Sequence, residues 1–231
     1  MKFGLTEYRN SLADFVKQIS IFKNLSDRYL DLIVDGFSPV NFRKGEIIFN
    51  QSDESTDLYI VFRGKVRAAL LNHDGEEFVL DVFKEGDFFG EMSLLDGKPR
   101  YATAITNEDA MLGMLKRSRF LDTVKSEPMI AIEMMNALVQ RLRKTDDMIG
   151  TLAFLDVSER LLKLLQEAGE LDGRRGQNGS FIIKKQTHRE LAARIGASRE
   201  AISKAIKILQ FKEMVVEDGD YFLVSPATDQ R

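Results

Sequence analysis

The sequence of 231 residues contains no cysteine and only two histidines, His73 and His188. Without cysteine the chain cannot form a disulfide, a thiolate zinc site or a cysteine-ligated iron–sulfur cluster. The two histidines fall in different halves of the sequence. We therefore expect no metal, no haem and no iron–sulfur cluster.

Long apolar runs are also missing. No segment approaches the roughly 20 apolar residues that a membrane helix needs, and the first residues lack the apolar core of a secretory signal. The sequence shows no pairing of a nucleophile with a general base. These absences predict a cytoplasmic protein without a membrane partner, and they argue against an enzyme.

The charges are almost balanced but unevenly distributed. The chain has 33 basic and 36 acidic residues, a net charge of −3. Between Lys184 and Lys212, however, eight residues are basic and only Glu190 and Glu200 are acidic. A basic segment on an acidic chain is typical of a DNA-binding module, although a solvated surface gives the same pattern. The length is sufficient for two domains.

Residues 86–104 combine the groups that a small phosphate ester requires. Gly90 and Ser93 allow the backbone N–H groups to approach an anion. Arg100 offers a planar, charged fork for two phosphate oxygens. Phosphate would repel Glu91, so this carboxylate is left to accept hydrogen bonds from sugar hydroxyls. The alternative is a β-turn, a short helix and a surface salt bridge.

This segment resembles the phosphate-binding cassette of cyclic-nucleotide-binding domains. The resemblance implies that Glu91 accepts from the ribose 2′-OH and that Arg100 binds the cyclic phosphate. Tyr101 departs from the family, in which a small residue usually follows the arginine. A tyrosine at this position could crowd the nucleotide, stack on it, or indicate a different ligand.

The region from Val40 to Lys116 has the pattern of a β-domain. Six short β-rich runs are separated by turn signals, of which Asp74-Gly75 is the strongest hairpin mark. The runs are residues 46–49, 58–62, 65–71, 78–83, 102–104 and 110–115. Many short strands predict a barrel or a double-sheet roll, and residues 20–125 match a cyclic-nucleotide jelly roll. Before them, residues 7–36 have helical spacing.

A long helix is predicted to begin at Pro128, because proline fits the first turn of a helix. Its apolar positions, spaced three and four residues apart, form a heptad seam typical of two supercoiled helices. The seam consists of Met135, Leu138, Leu142, Ile149 and Leu152, with the polar Thr145 among them. We interpret it as a homodimer interface; the alternative is an amphipathic helix that lies on its own domain.

The segment after the seam, with Phe154, Leu155 and Asp156, closely resembles the hinge of the catabolite activator (cyclic-AMP receptor) protein family of the CRP/FNR superfamily. In that family's register, Thr145 hydrogen-bonds the adenine amino group. Asp146 falls where a serine of the partner subunit contacts the base, so the carboxylate is a second departure. The implied ligand-binding residues are Leu80, Phe83, Gly90, Glu91, Met92, Ser93, Arg100, Tyr101, Arg141, Thr145 and Asp146.

Residues 187–209 have the pattern of a helix-turn-helix. Thr187 and Glu190 form a capping box, Gly196 marks the turn, and Ser198 begins the second helix. The predicted DNA-binding residues are Thr187, His188, Ser198, Arg199, Glu200 and Lys204. Members of the family recognise bases with Arg, Glu and Arg at this spacing. Lys204 stands where they have the second arginine, so a point charge replaces a bidentate guanidinium. Residues 214–217 and 221–224 complete a winged helix.

The sequence therefore predicts an α+β protein with three parts: a cyclic-nucleotide-binding jelly roll at 1–127, a dimerisation helix and hinge at 128–155, and a winged helix-turn-helix at 156–231. The resemblance implies a homodimeric transcription regulator that binds cyclic AMP and palindromic double-stranded DNA with TGTGA-like half-sites. Another nucleotide (cyclic GMP or a cyclic dinucleotide), or no ligand, is an alternative. A regulatory module that acts through protein partners is another. RNA polymerase is an expected partner, although the loop at 171–180 that could contact it also fits a plain surface turn.

Overall fold

The computed structural model describes residues 5–73, 75–176 and 179–226. The chain divides into two compact units, of which the first ends at Arg143 and the second begins at Lys144. This boundary lies inside the long helix, whereas the predicted parts are 1–127, 128–155 and 156–231. That three-part division stays a prediction.

The first unit begins with two helices, α1 (Leu5–Gln18) and α2 (Asp27–Val34), where the sequence predicted helical structure over 7–36. Eight strands follow in the described part of this unit, with a short helix, α3 (Glu91–Asp96), between the sixth and the seventh. The strands are β1 (Phe37–Phe42), β2 (Ile47–Phe49), β3 (Leu58–Arg63), β4 (Val66–Leu71), β5 (Glu77–Phe83), β6 (Phe88–Phe89), β7 (Thr103–Thr106) and β8 (Ala110–Leu115).

The strands form two four-stranded antiparallel sheets, ordered β1-β8-β3-β6 and β2-β7-β4-β5. Together they make the predicted jelly roll. Strand β1 was not predicted because it contains Pro39, which cannot donate to a ladder; it is tolerated since β1 is an edge strand. Of the predicted Asp74-Gly75 hairpin, Asp74 lies outside the described residues, and Gly75 has a φ of 74°.

Two helices follow the jelly roll. Helix α4 (Arg117–Ser126) was not predicted, and α5 (Met129–Phe154) is the predicted long helix, which begins directly after Pro128. Leu94, Phe120, Ile130 and Met134 are buried in one core with α1 and α2. The segment that holds α3 therefore shares its apolar core with the helices that follow the sheets.

The second unit contains helices α6 (Val157–Asp172), α7 (His188–Ile195) and α8 (Arg199–Phe211). Its four-stranded antiparallel sheet has the order β11-β12-β10-β9. These strands are β9 (Arg174–Arg175), β10 (Phe181–Lys184), β11 (Val215–Asp218) and β12 (Tyr221–Val224). The sheet includes the predicted wing, and Gln177 and Asn178 of the predicted 171–180 loop lie outside the described residues.

Among the helices that the structure describes, none has a stretch both long and apolar enough to cross a bilayer.

Candidate functional site

Arg100 joins three segments of the first unit. Its Nε donates to the hydroxyl of Ser55 at 2.9 Å, Nη1 donates to the carbonyl of Gly90 at 3.0 Å, and Nη2 donates to the carbonyl of Asp57 at 2.8 Å. Only 2% of the residue is exposed. The guanidinium is therefore held in a fixed orientation at the start of α3.

The charge of Arg100 is buried without a direct carboxylate partner. None of the ion pairs among the residues that the structure describes includes Arg100. Burial lowers the pKa of its guanidinium, while Tyr59 and nearby carboxylates act in the opposite direction. The guanidinium carbon lies 4.1 Å from the ring centroid of Phe49, a cation–π contact that partly replaces the lost hydration. A buried cation without an ionic partner is costly, and an anionic ligand would offset part of that cost.

Arg100 lies so close to the backbone at position 90 that only glycine fits there. It caps α3 with a φ of 83°, which L-residues rarely adopt. A Cβ at this position would lie 2.6 Å from Nη1 of Arg100 and 2.9 Å from the carbonyl oxygen of Asp57. Both the backbone conformation and the space therefore exclude a side chain.

We expect Gly90→Ala to destabilise the protein more than Gly86→Ala does. Gly86 has nearly the same φ, 86°, but nothing within 4 Å of its Cβ position, so its alanine variant carries only the conformational cost of about 1–3 kcal/mol. Gly90→Ala adds the clash with Arg100. Denaturant unfolding of both variants measures the difference. Equal losses of stability would show that the residues around Arg100 accommodate the extra methyl group without a further loss of stability.

Glu91 is paired rather than free. It is buried, and its Oε1 lies 2.7 Å from Nη1 of Arg141 on α5. Arg141 also donates through Nη2 to the carbonyl of Phe88. The sequence predicted a Glu91 carboxylate free to accept hydrogen bonds from sugar hydroxyls; the structure pairs it with Arg141, and its contact with a sugar stays a prediction. Because a carboxylate has about four acceptor sites, a sugar hydroxyl can share it with Arg141.

Aromatic rings connect the two arginines. Phe89 stacks on Tyr59 and on Phe83, with centroids 5.3 Å and 5.2 Å apart. Arg141 lies over the ring of Phe83, 5.2 Å from its centroid. These rings form an apolar link between the two cations, and charges beside apolar groups are less screened than charges in solvent.

The structure brings Phe83, Gly90, Glu91, Arg100 and Arg141 of the predicted ligand-binding set into one contact network. The other predicted residues of the first unit are Leu80, Met92, Ser93 and Tyr101. Ser93 is buried on α3, and Leu80 is half-buried on β5. Met92 is half-exposed, and Tyr101 is 55% exposed. Tyr101 is therefore open to solvent beside the cassette.

Thr145 and Asp146 lie on α5 beyond the boundary between the units, and both are exposed. Their predicted contacts with the base of a nucleotide stay predictions.

The heptad seam is largely exposed. Met135, Leu142, Ile149 and Leu152 are exposed on α5. Leu138 differs, because it is half-buried and packs against the core of its own unit. Ile132 and Val139, which were not predicted to lie in the seam, are exposed as well. We call five of these exposed residues the apolar stripe of α5: Ile132, Met135, Val139, Leu142 and Ile149.

The helix-turn-helix of the second unit has the predicted caps. Glu190 N–H donates to Thr187 Oγ1 at 3.2 Å, and Thr187 N–H donates to Glu190 Oε2 at 2.7 Å. The turn residue Gly196 has a φ of 64°, and Ser198 caps α8 by accepting from Ala201 N–H. These capping predictions are confirmed.

Helix α8 buries one face and exposes the other. Ile202, Ala205, Ile206 and Leu209 are buried in the core of the second unit. Arg199, Glu200 and Lys204 are exposed, as the sequence pattern predicted. These three side chains therefore offer two cations and one carboxylate to a partner.

His188 and Ser203 link the two helices of the motif. Ser203 Oγ donates to the carbonyl of Arg199 at 3.1 Å and lies 2.9 Å from Nδ1 of His188. Ser203 was not predicted from the sequence, since nothing in the spacing of the two residues marks their contact.

The comparisons with known proteins agree with this geometry. Residues 39–127 match the family of the cyclic nucleotide-binding domain. The cyclic AMP receptor protein of Thermus thermophilus is 35% identical over 208 residues, which cover 88% of this chain and 91% of that protein. The CRP-like cAMP-activated global transcriptional regulator of Mycobacterium tuberculosis is 26% identical over 214 residues, 93% of this chain and 96% of that protein.

A solved structure shows the same fold. It is that of the c-di-GMP responsive global regulator CLP of Xanthomonas campestris, with a TM-score of 0.75, 23% identity, and coverage of 88% of this chain and 100% of that chain. The jelly roll with its cassette, the winged helix-turn-helix and the identity to the Thermus protein lead to one conclusion. The chain belongs to the CRP/FNR family of transcription regulators.

Proposed function

We propose that this protein is a homodimeric transcription regulator that binds a cyclic nucleotide through the cassette around Arg100 and a palindromic operator through α8. The observation that carries the nucleotide site is the buried guanidinium of Arg100, which has hydrogen bonds to neutral groups but no carboxylate partner among the described residues. Its relatives are transcription regulators, so we propose binding and not catalysis. As a DNA-binding regulator it would act in the cytoplasm, with RNA polymerase as a further partner.

Cyclic AMP is the first candidate ligand. The Thermus and Mycobacterium relatives carry cyclic AMP in their names, and Glu91 with Arg100 offers an acceptor for the ribose and a donor for the phosphate. In the family's register Thr145 meets the adenine amino group, which supports the same ligand.

Asp146 favours cyclic GMP as the second candidate. A carboxylate only accepts hydrogen bonds, and guanine presents two adjacent donors, N1–H and the N2 amino group, where adenine presents one amino group. Tyr101 is exposed, and we propose that it is compatible with either base.

Titration calorimetry against cyclic AMP, cyclic GMP, a cyclic dinucleotide and linear AMP tests the ligand. Linear AMP is the control, since it has the base and ribose of cyclic AMP but a dianionic, open phosphate. Saturable binding of one cyclic nucleotide supports the proposal. Binding of none would favour a regulator that needs no ligand. A gel shift with operator DNA separates a DNA-binding regulator from a module that acts through protein partners.

We expect the operator to be an inverted repeat of TGTGA-like half-sites, with centres about one helical turn apart, because a two-fold dimer presents two identical helices to one side of the duplex. Arg199 would bind a guanine through O6 and N7, and Glu200 would accept from a cytosine amino group. Arg199→Ala should cost about 1–3 kcal/mol per half-site. Glu200→Ala should broaden tolerance at one base pair with little loss of affinity.

Selection from a random DNA library measures both effects. Lys204→Arg should sharpen selection at its base, because a bidentate fork replaces a point charge. Lys212→Ala, just beyond the last residue of α8, is the control and should leave base preferences unchanged. If the selected sites were single half-sites, or if Glu200→Ala kept the wild-type base preference, α8 would not be the helix that recognises the bases.

A further inference from the structure

Arg117 donates hydrogen bonds to the C-terminal end of α3, the helix of the phosphate-binding cassette. It is the first residue of α4. Its Nε donates to the carbonyl of Leu94 at 2.6 Å, and its Nη2 donates to the carbonyl of Leu95 at 3.4 Å. Both carbonyls belong to α3, whose last turn has no intrahelical donors for them. Hydrogen bonds from a charged donor are the stronger class.

The two ends of α3 are thus held by arginines from the two helices that follow the jelly roll. At the N-terminal end, Glu91 pairs with Arg141 of α5. At the C-terminal end, Arg117 of α4 binds Leu94 and Leu95. The side chain of Leu94 is fully buried in the same core as Phe120 of α4.

These two kinds of contact have different consequences. Apolar packing in the core that Leu94 and Phe120 share is non-directional and tolerates small shifts of α3. The hydrogen bonds from Arg117 are directional, so α4 must follow the carbonyls of α3 or lose them. A ligand that fixes α3 through Gly90, Glu91 and Arg100 would therefore also fix the beginning of α4.

We propose that Arg117 is a positioning residue that couples the cyclic-nucleotide site to helix α4. This inference rests on the proposed binding of a cyclic nucleotide at the cassette. Arg117 does not bind the ligand itself; it transmits the order that the ligand imposes on α3. The coupling should appear as a protection of α4 by ligand that depends on Arg117 and not on α4 packing alone.

Amide hydrogen exchange of the full chain, with and without saturating cyclic AMP (or cyclic GMP, if calorimetry selects it), tests this coupling. In the wild type, the nucleotide should slow exchange in peptides that cover α3 and in peptides that cover α4. Arg117→Met keeps an unbranched apolar stem but removes the guanidinium and its donors. It should retain the slowing in α3 and reduce the slowing in α4 at least threefold.

Two further variants provide an intermediate case and a control. Arg117→Lys keeps a charged donor without the fork and should give an intermediate effect. Arg119→Met changes an exposed arginine of the same helix and should behave as the wild type does. If Arg117→Met does not fold, Arg117→Lys decides the question alone.

The outcomes separate this inference from the proposed function. Slowing in α3 together with undiminished slowing in α4 of Arg117→Met would overturn the coupling and leave nucleotide binding intact. So would a wild type in which the nucleotide slows α3 but not α4. No slowing anywhere and no calorimetric binding would overturn the proposed function, and this inference with it.

Discussion

Replacing Arg100 with leucine should weaken cyclic-nucleotide binding at least tenfold. The phosphate would lose a charged donor, and hydrogen bonds to charged groups contribute about 1.5–3 kcal/mol each. The change would also leave the carbonyls of Gly90 and Asp57 without the donors that they have now. We therefore expect a lower stability too, by about 1–3 kcal/mol for each buried acceptor that water cannot reach.

These two losses must be measured separately. Calorimetric titration should be done well below the thermal midpoint of the variant, which a parallel unfolding curve provides. Arg100→Lys retains the charge but loses the fork, so it should bind nucleotide less tightly than the wild type and more tightly than Arg100→Leu. Arg119→Leu, a substitution of an exposed arginine, is the control for removing one positive charge. A folded Arg100→Leu that binds as the wild type does would place the ligand site elsewhere.

The cassette could be predicted because its residues are close in the sequence. Gly90, Glu91 and Arg100 lie within eleven positions, and the short helix and turn between them bring the groups together locally. The same holds for the capping box of Thr187 and Glu190, three residues apart, and for the turn at Gly196. In each case a local hydrogen bond or backbone conformation determines the structure.

The partners of the cassette could not be predicted in this way. Ser55 and Asp57 reach Arg100 across 45 and 43 residues, and Arg141 is 50 residues from Glu91. Only the pairing of the strands and the packing of α5 bring them together. The pairing with Arg141 also changes the role of Glu91, from a free acceptor to one that a ligand would share.

The residues of the exposed apolar stripe of α5 could also not be predicted fully from the sequence. Leu138 and Val139 are adjacent and both apolar, so the heptad spacing alone does not decide which of them faces the partner helix. The structure half-buries Leu138 against the core of its own unit and exposes Val139. Helix α4 was missed for a related reason, since only Phe120 and Thr123 are buried in it and its apolar periodicity is weak.

A lysine at Leu142 should convert the proposed dimer into a monomer. Leu142 is 60% exposed in the single chain and lies in the apolar stripe of α5. In a two-fold dimer each Leu142 would face the same stripe of its partner, so Leu142→Lys would bring two charges into one apolar interface. Burying a charge without a partner costs several kcal/mol, which the two helices avoid by separating.

Sedimentation at micromolar concentration measures the change in mass. Gln140→Lys introduces the same charge on another exposed face of the same helix and should remain a dimer. The Leu142→Lys monomer should bind a single half-site with at most weak affinity, because it cannot place two α8 helices on one operator. Its nucleotide site around Arg100 should survive in part, since every contact of Arg100 described above lies within one chain. A Leu142→Lys protein that stays dimeric would place the interface on another surface and leave the stripe of α5 to a different partner.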